Sequence, residues 1–190
     1  RSSYIGKIGD DELGKFFHDD QLANNISPQL LIGKSSTGRA MVLIDKIAER
    51  TFATYLGAAI EMTTEDLTDE MFDGYHYFHI EGYLVQNHDL IRQAVKIAKD
   101  KGLFISLDMA SYNVVEENKD FLADILKNYV DIVFANEDEA KAFTGKEPED
   151  AVKDFADYCK IAVVKIGDKG SLVQGGEEFI RIMPIKANAI

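Results

Sequence analysis

At 190 residues the chain is long enough for one substantial core, or for one domain and a small appendage. Its formal charge of -12 and pI near 4.7 exclude a nucleic-acid backbone or an anionic membrane as the main partner, because both are held by clustered Lys and Arg. A single cysteine, Cys159, excludes an internal disulfide and a cysteine-rich zinc site, and with no apolar segment of spanning length and no secretory pattern the expected setting is cytoplasmic.

Residues 3–8 read as a strand, and Gly9-Asp10-Asp11 turns the chain into a helix with Leu13, Phe16 and Phe17 along one face. His18, near its end, has no second ligand at metal spacing and reads as a polar surface residue. From 29 to 59 the character changes to three β-rich runs, Leu30-Leu31-Ile32, 38–44 and 51–56, with no helix pattern between them. Hairpin-connected strands are expected. Such an insert reads as an edge meander or as a flap, and Arg39 and Arg50, which interrupt the strands, favour a flap with one wet face.

A helix start at Thr64 precedes a short acidic helix, and residues 75–82 then form a buried strand with Glu81 at its carboxyl end. In open parallel sheets ligands bind outside those ends, so Glu81 is a candidate acceptor for substrate hydroxyls; the plain alternative is a surface carboxylate. His76 and His79, three apart on a strand, face opposite sides and do not share a metal. The helix over 90–101 repeats apolar residues at Ile91, Ala94, Val95 and Ala98, the strand 103–107 is followed by Asp108, and the helix 118–129 carries Phe121, Leu122, Ile125 and Leu126 on one side.

The stretch 131–145 is the densest in signal. Ile132, Val133, Phe134 and Ala135 make a buried strand that passes at Asn136 directly into a helix ending at Gly145. Asn136 with Glu139 is close to a capping box, which accounts for both without a ligand. The same helix N-terminus offers unpaired N–H groups to an anion. Pro148 opens the next helix, with Val152, Phe155, Ala156 and Cys159; the strand 161–166 ends in Gly167-Asp168-Lys169-Gly170, and a terminal hairpin covers 171–173 and 178–183. The alternation from residue 75 predicts a parallel sheet with helices on both faces and right-handed crossovers. Its strand ends would gather Glu81, Asp108, Asn136 with Glu139, and 167–170 on one rim.

Five motifs in order resemble the ribokinase-like, or PfkB-type, carbohydrate kinases: Gly6-Lys7-Ile8-Gly9-Asp10-Asp11-Glu12-Leu13-Gly14, the lid entry Ser36-Thr37-Gly38-Arg39-Ala40, the strand ending Glu81-Gly82, Asn136-Glu137-Asp138-Glu139 with Thr144-Gly145, and Lys165-Ile166-Gly167-Asp168-Lys169-Gly170. The segment from Glu49 to Ala58 is similar to the branch that includes adenosine kinases. The resemblance implies a three-layer α/β/α sandwich with a mostly parallel central sheet and a small antiparallel β lid. It assigns 1–28 and 60–190 to the α/β core, incomplete at both ends, and 29–59 to the lid. The implied activity is ATP-dependent phosphorylation of a hydroxyl of a small sugar or nucleoside, where catalysis is mostly positioning and charge neutralisation.

Carried over by position, the resemblance implies that Asn136 and Glu139 order Mg2+, water and the ATP phosphates, with Glu139 on the metal side. Lys165, Gly167, Asp168 and Gly170 would lie along the nucleotide, Glu81 would contact sugar hydroxyls, and Ala40 and Val42 would sit on lid strands over the sugar. The lid strands imply a homodimer clasp. The motif supplying the anion hole and the catalytic aspartate is expected after Ile190 and a Gly-Gly sugar-recognition segment before Arg1, so no catalytic base is named and these 190 residues are expected to be inactive alone. The alternative is a non-catalytic α/β small-molecule-binding or regulatory module. A Rossmann oxidoreductase is disfavoured, because no G-x-G-x-x-G follows a strand at a helix start.

Overall fold

The computed structural model describes residues 1–46 and 50–185, which divide into two compact units with the boundary between Tyr75 and His76. Glu49, in the adenosine-kinase-like segment, and Ile190 lie outside the described residues.

In the first unit, β1 (Ser2–Ile8) and β2 (Ile26–Ile32) pair in parallel, from Ser2 opposite Ile26 to Ile8 opposite Ile32. A parallel pair needs a crossover, and α1 (Glu12–Ala23) supplies it. Leu30, Leu31 and Ile32 therefore pair with the first strand and are not part of a hairpin insert, as the β-rich run suggested. The hairpin is confined to β3 (Arg39–Ile44) and β4 (Arg50–Tyr55), antiparallel from Arg39 opposite Tyr55 to Ile44 opposite Arg50. All twelve of its strand residues are exposed, on both faces and not on one.

Leu13, Phe16 and Phe17 share one side of α1 as expected, but that side is only partly covered. Phe17 meets Tyr4 edge-on at 5.4 Å, but Leu13 and Phe16 are exposed and help line an open cavity of about 300 Å³ with Tyr4 and Arg39. After the hairpin the chain runs through three short 3₁₀ turns, Gly57–Glu61, Thr64–Asp66 and Asp69–Phe72, in place of the acidic helix expected after Thr64. Asp66 takes up the Thr63 N–H at 2.9 Å and the Lys7 ammonium at 2.7 Å. A side chain bound back to the local backbone competes with helix propagation.

The second unit holds a six-stranded sheet. β5 (Tyr77–Glu81), β6 (Phe104–Asp108), β7 (Ile132–Asn136) and β8 (Ile161–Lys165) run parallel in sequence order, and β9 (Ser171–Gly175) and β10 (Glu178–Ile182) add an antiparallel edge. The crossovers are α2 (His88–Asp100), α3 (Tyr112–Glu117) with α4 (Lys119–Asn128), and α5 (Glu137–Thr144) with α6 (Pro148–Ala156). Strands laid down in sequence order with right-handed crossovers stack successive helices on one side of the sheet, not on both. Burial follows that rule. Ile105, Leu107, Val133, Ala135, Ala162, Val164 and Leu172, which share a face by register, are fully buried, whereas Tyr77, Phe104 and Ile161 on the other face are exposed.

Each large aliphatic side chain on the covered face contributes roughly 1.5–3 kcal/mol by leaving water. Among the described residues no helix is long and apolar enough to cross a membrane.

Candidate functional site

Register decides which strand tips meet. Glu81 stands opposite Asp108, Asp108 opposite Phe134, and Asn136, two residues beyond Phe134, opposite Lys165. Since side chains alternate along a strand, Glu81, Asp108, Asn136 and Lys165 share the face away from the fully buried one. Lys165 Nζ reaches across β7 and lies 2.8 Å from Asp108 Oδ2. Asp108 Oδ1 accepts the Ala110 N–H at 3.0 Å, and Ala110 is held at φ +68°, a left-handed conformation uncommon for a residue with a Cβ. The chain is thus bent sharply just past the tip, with the Asp108 carboxylate turned into the bend.

Glu81 is steadied from its own strand. His79 Nε2 lies 3.5 Å from Glu81 Oε1, and His79 Nδ1 lies 2.8 Å from Ser106 Oγ on β6. The i, i+2 spacing of His79 and Glu81 is the sequence signal for that pairing; the contribution of Ser106 has none.

At the β7–α5 junction the capping box forms in full. Asn136 Oδ1 accepts the Glu139 N–H at 2.9 Å, while Glu139 accepts the Asn136 N–H at 2.7 Å and the Asn136 Nδ2–H at 2.6 Å. The box sinks Glu139 beneath the rim, where it is 2% exposed. Burial raises its carboxyl above the ordinary value of 4.5, the Asn136 N–H opposes that shift, and the negative charge of Asp108 adds to it while Lys165 works against it. The result is a desolvated acid beside a second carboxylate and one ammonium. Such a site is relieved electrostatically by an incoming cation.

The remaining candidates separate. Gly167 and Asp168 lie in a single 3₁₀ turn at the end of β8, Gly167 at φ +57° with open space around the position of a Cβ. Gly170, at φ +95°, is needed for the fold itself, since a Cβ there would overlap the Ile182 carbonyl oxygen. Ala40 and Val42 belong to the first unit, on the same face of β3, opposite Thr54 and Phe52. Among the described residues no group of three His, Cys, Asp or Glu side chains could by itself hold a metal.

A cavity of about 360 Å³ lies at the opposite end of the strands around Asp131, Lys99 and Lys160. Burial pushes the Asp131 carboxyl up, but hydrogen bonds from Lys160, Lys99 and the Ile105 N–H outweigh it and leave it lowered. That carboxylate is already saturated and ties β6, β7 and their flanks together. Cys159, on the same wall, has its thiol pushed up to about 11 by burial and is not a nucleophile at neutral pH.

Comparison with known proteins identifies the family and the fold. The profile described as pfkB family carbohydrate kinase matches residues 1–190. Guanosine-inosine kinase of Escherichia coli K12 is 28% identical over 148 residues, 74% of this chain and 34% of that protein. Adenosine kinase of Schizophyllum commune is 27% identical over 163 residues, 83% of this chain and 47% of that one. The crystal structure of adenosine kinase from Sinorhizobium meliloti matches with a TM-score of 0.92 and 32% identity, covering 100% of this chain and 60% of that chain. The fold is therefore the expected ribokinase-like one. The chain spans less than half the length of these two curated relatives and 60% of the solved one.

Proposed function

This chain belongs to the pfkB family of carbohydrate kinases, and from that premise we propose that it forms part of an enzyme that moves the γ-phosphoryl group of ATP to a hydroxyl of a small sugar or nucleoside. One observation carries the reading: Asp108, Asn136, Glu139 and Lys165 meet on one rim with a buried acid, raised by burial, among them.

The donor set suits a nucleotide with its dication. Glu139, with Asn136, would serve the Mg2+ side, Lys165 would face phosphate oxygens, and Gly167, Asp168 and Gly170 would run along the nucleotide. Mg2+ bound with ATP supplies neutralisation of phosphate charge. What this chain's residues do is bind and orient: Lys165 is held by Asp108 in a defined place, and Glu81, steadied by His79, presents an acceptor to substrate hydroxyls. None of the described residues is proposed as the general base.

The lid of this proposal is narrower than the expected 29–59, because residues 29–32 pair with β1 and stay with the α/β core of 1–28 and 60–190. The β3–β4 hairpin takes the lid role, with Ala40 and Val42 over the sugar, and its exposed apolar strands serve as a homodimer clasp. The setting proposed is cytoplasmic, in keeping with one free thiol.

The test is binding of a non-hydrolysable ATP analogue with Mg2+, read by thermal shift and calorimetry, followed by a phosphorylation panel of sugars and nucleosides. Lys165→Met and Glu139→Gln are each expected to weaken analogue binding about tenfold or more, the scale of one charge-assisted contact. Binding unaffected by both variants would overturn the nucleotide assignment and favour a plain small-molecule-binding module. Turnover by these 190 residues alone would overturn the expectation that the base lies elsewhere.

A further inference from the structure

We propose that Asp11 is the positioning residue of the β3–β4 hairpin: its carboxylate, tied to Thr37, sets where the hairpin root stands on the N-terminus of α1. This rests on contacts within the first unit and is independent of the kinase reading. Asp11 Oδ1 accepts the Gly14 N–H at 2.8 Å and the Thr37 hydroxyl at 2.6 Å, and Asp11 Oδ2 accepts the Thr37 N–H at 2.8 Å. Thr37 Oγ1 in turn accepts the Gly9 N–H at 3.0 Å, so a buried threonine closes a ring between the end of β1, the start of α1 and the hairpin root.

Capping α1 requires only the bond to Gly14. Asp11 Oδ2 and the Thr37 hydroxyl have no part in the cap, and both join Asp11 to Thr37, two residues before the hairpin's first strand. Glu61 completes the base by accepting the Lys34 N–H at 2.7 Å and the Ser35 N–H at 2.9 Å.

Just past this clamp the two legs of the hairpin touch backbone to backbone. The Ala58 N–H donates to the Ser36 carbonyl at 3.0 Å, and a Cβ at Gly38 would stand 2.6 Å from the Leu56 carbonyl oxygen. At Gly57, φ +54°, a Cβ would overlap the Ser36 carbonyl oxygen. Every strand residue beyond is exposed, so the hairpin's placement is decided at its root.

The experiment places nitroxide labels at Met41→Cys and Asp19→Cys in a Cys159→Ser background and measures the distance distribution between them. Asp11→Asn and Thr37→Val are expected to broaden or shift it, while Thr37→Ser, which keeps the hydroxyl, matches the parent. In parallel, hydrogen exchange should quicken about tenfold at the Thr37 amide in Asp11→Asn and at the Gly9 amide in Thr37→Val, with β1–β2 ladder amides unchanged. An unchanged distribution in both variants overturns the proposal. So does Thr37→Ser behaving like Thr37→Val, which would assign the effect to the methyl group, or a uniform loss of protection over β1 and β2, which would assign it to general stability.

Discussion

Asp11, the N-cap of α1, and Glu139, three residues past the N-cap of α5, both stand at a strand-to-helix junction, yet their carboxyls are driven in opposite directions. The Thr37 hydroxyl, the Thr37 N–H and the Gly14 N–H hold Asp11 below its ordinary value of 3.8. Burial, with Asp108 nearby, holds Glu139 above its ordinary 4.5 although Asn136 donates to it twice. Donors and solvent both separate them: Asp11 accepts three hydrogen bonds that outweigh its burial, whereas burial and a second negative charge outweigh the two that Glu139 accepts. A carboxylate with ample donors and access to water is a structural clamp, whereas one sunk beside another acid is stabilised further only by an arriving cation.

The largest expected effect that would sharpen this contrast is on stability. Glu139→Ala removes a buried acceptor and leaves the Asn136 N–H unsatisfied, a loss of about 2–3 kcal/mol in urea unfolding. Asn136→Ala, which deletes the cap alone, should cost about 1 kcal/mol. Equal losses would mean that the buried carboxylate adds nothing beyond the cap.

Smaller but more discriminating is the pH dependence. Asp11 has a lowered folded value, so its contribution is present above pH 3.8 and disappears as pH falls through that folded value. Glu139 has a raised one, so its contribution is present below pH 4.5 and is lost as pH rises through the folded value. The stability gap between the parent and Asp11→Asn should therefore widen with rising pH across the acid range. The advantage of the parent over Glu139→Gln should narrow. Slopes of the same sign would break the comparison. The smallest effect follows from the same sign: Mg2+-dependent binding at the rim should strengthen as pH rises through the Glu139 value and then level off, because the cation needs the ionised form.

Much of this was legible beforehand. The β7–α5 junction, its Asn136–Glu139 box and the glycine stop at Gly145 follow from short-range rules, since an N-cap and its partner are three residues apart and need nothing else. The convergence of Glu81, Asp108, Asn136 and Lys165 was legible as topology, because strand ends in a βα series share one edge. The shared face of Leu13, Phe16 and Phe17 on α1 was legible from their spacing, but how far it is covered was not, because burial depends on what arrives opposite. Leu30 to Ile32 looked like hairpin strand because β propensity carries no information on the partner.

The amino-acid sequence alone determined the strand–helix alternation from residue 75 onward, the Asn136–Glu139 cap and the family to which the chain belongs, all properties of neighbouring residues or of their order. Only the tertiary structure decided that β2 pairs with β1, that the crossover helices gather on one face of the sheet, that Lys165 reaches Asp108 across β7, and that Asp11 fastens the hairpin root while Glu139 is buried beside Asp108. Those outcomes depend on register and solvent exclusion between segments tens of residues apart, and no local pattern encodes either.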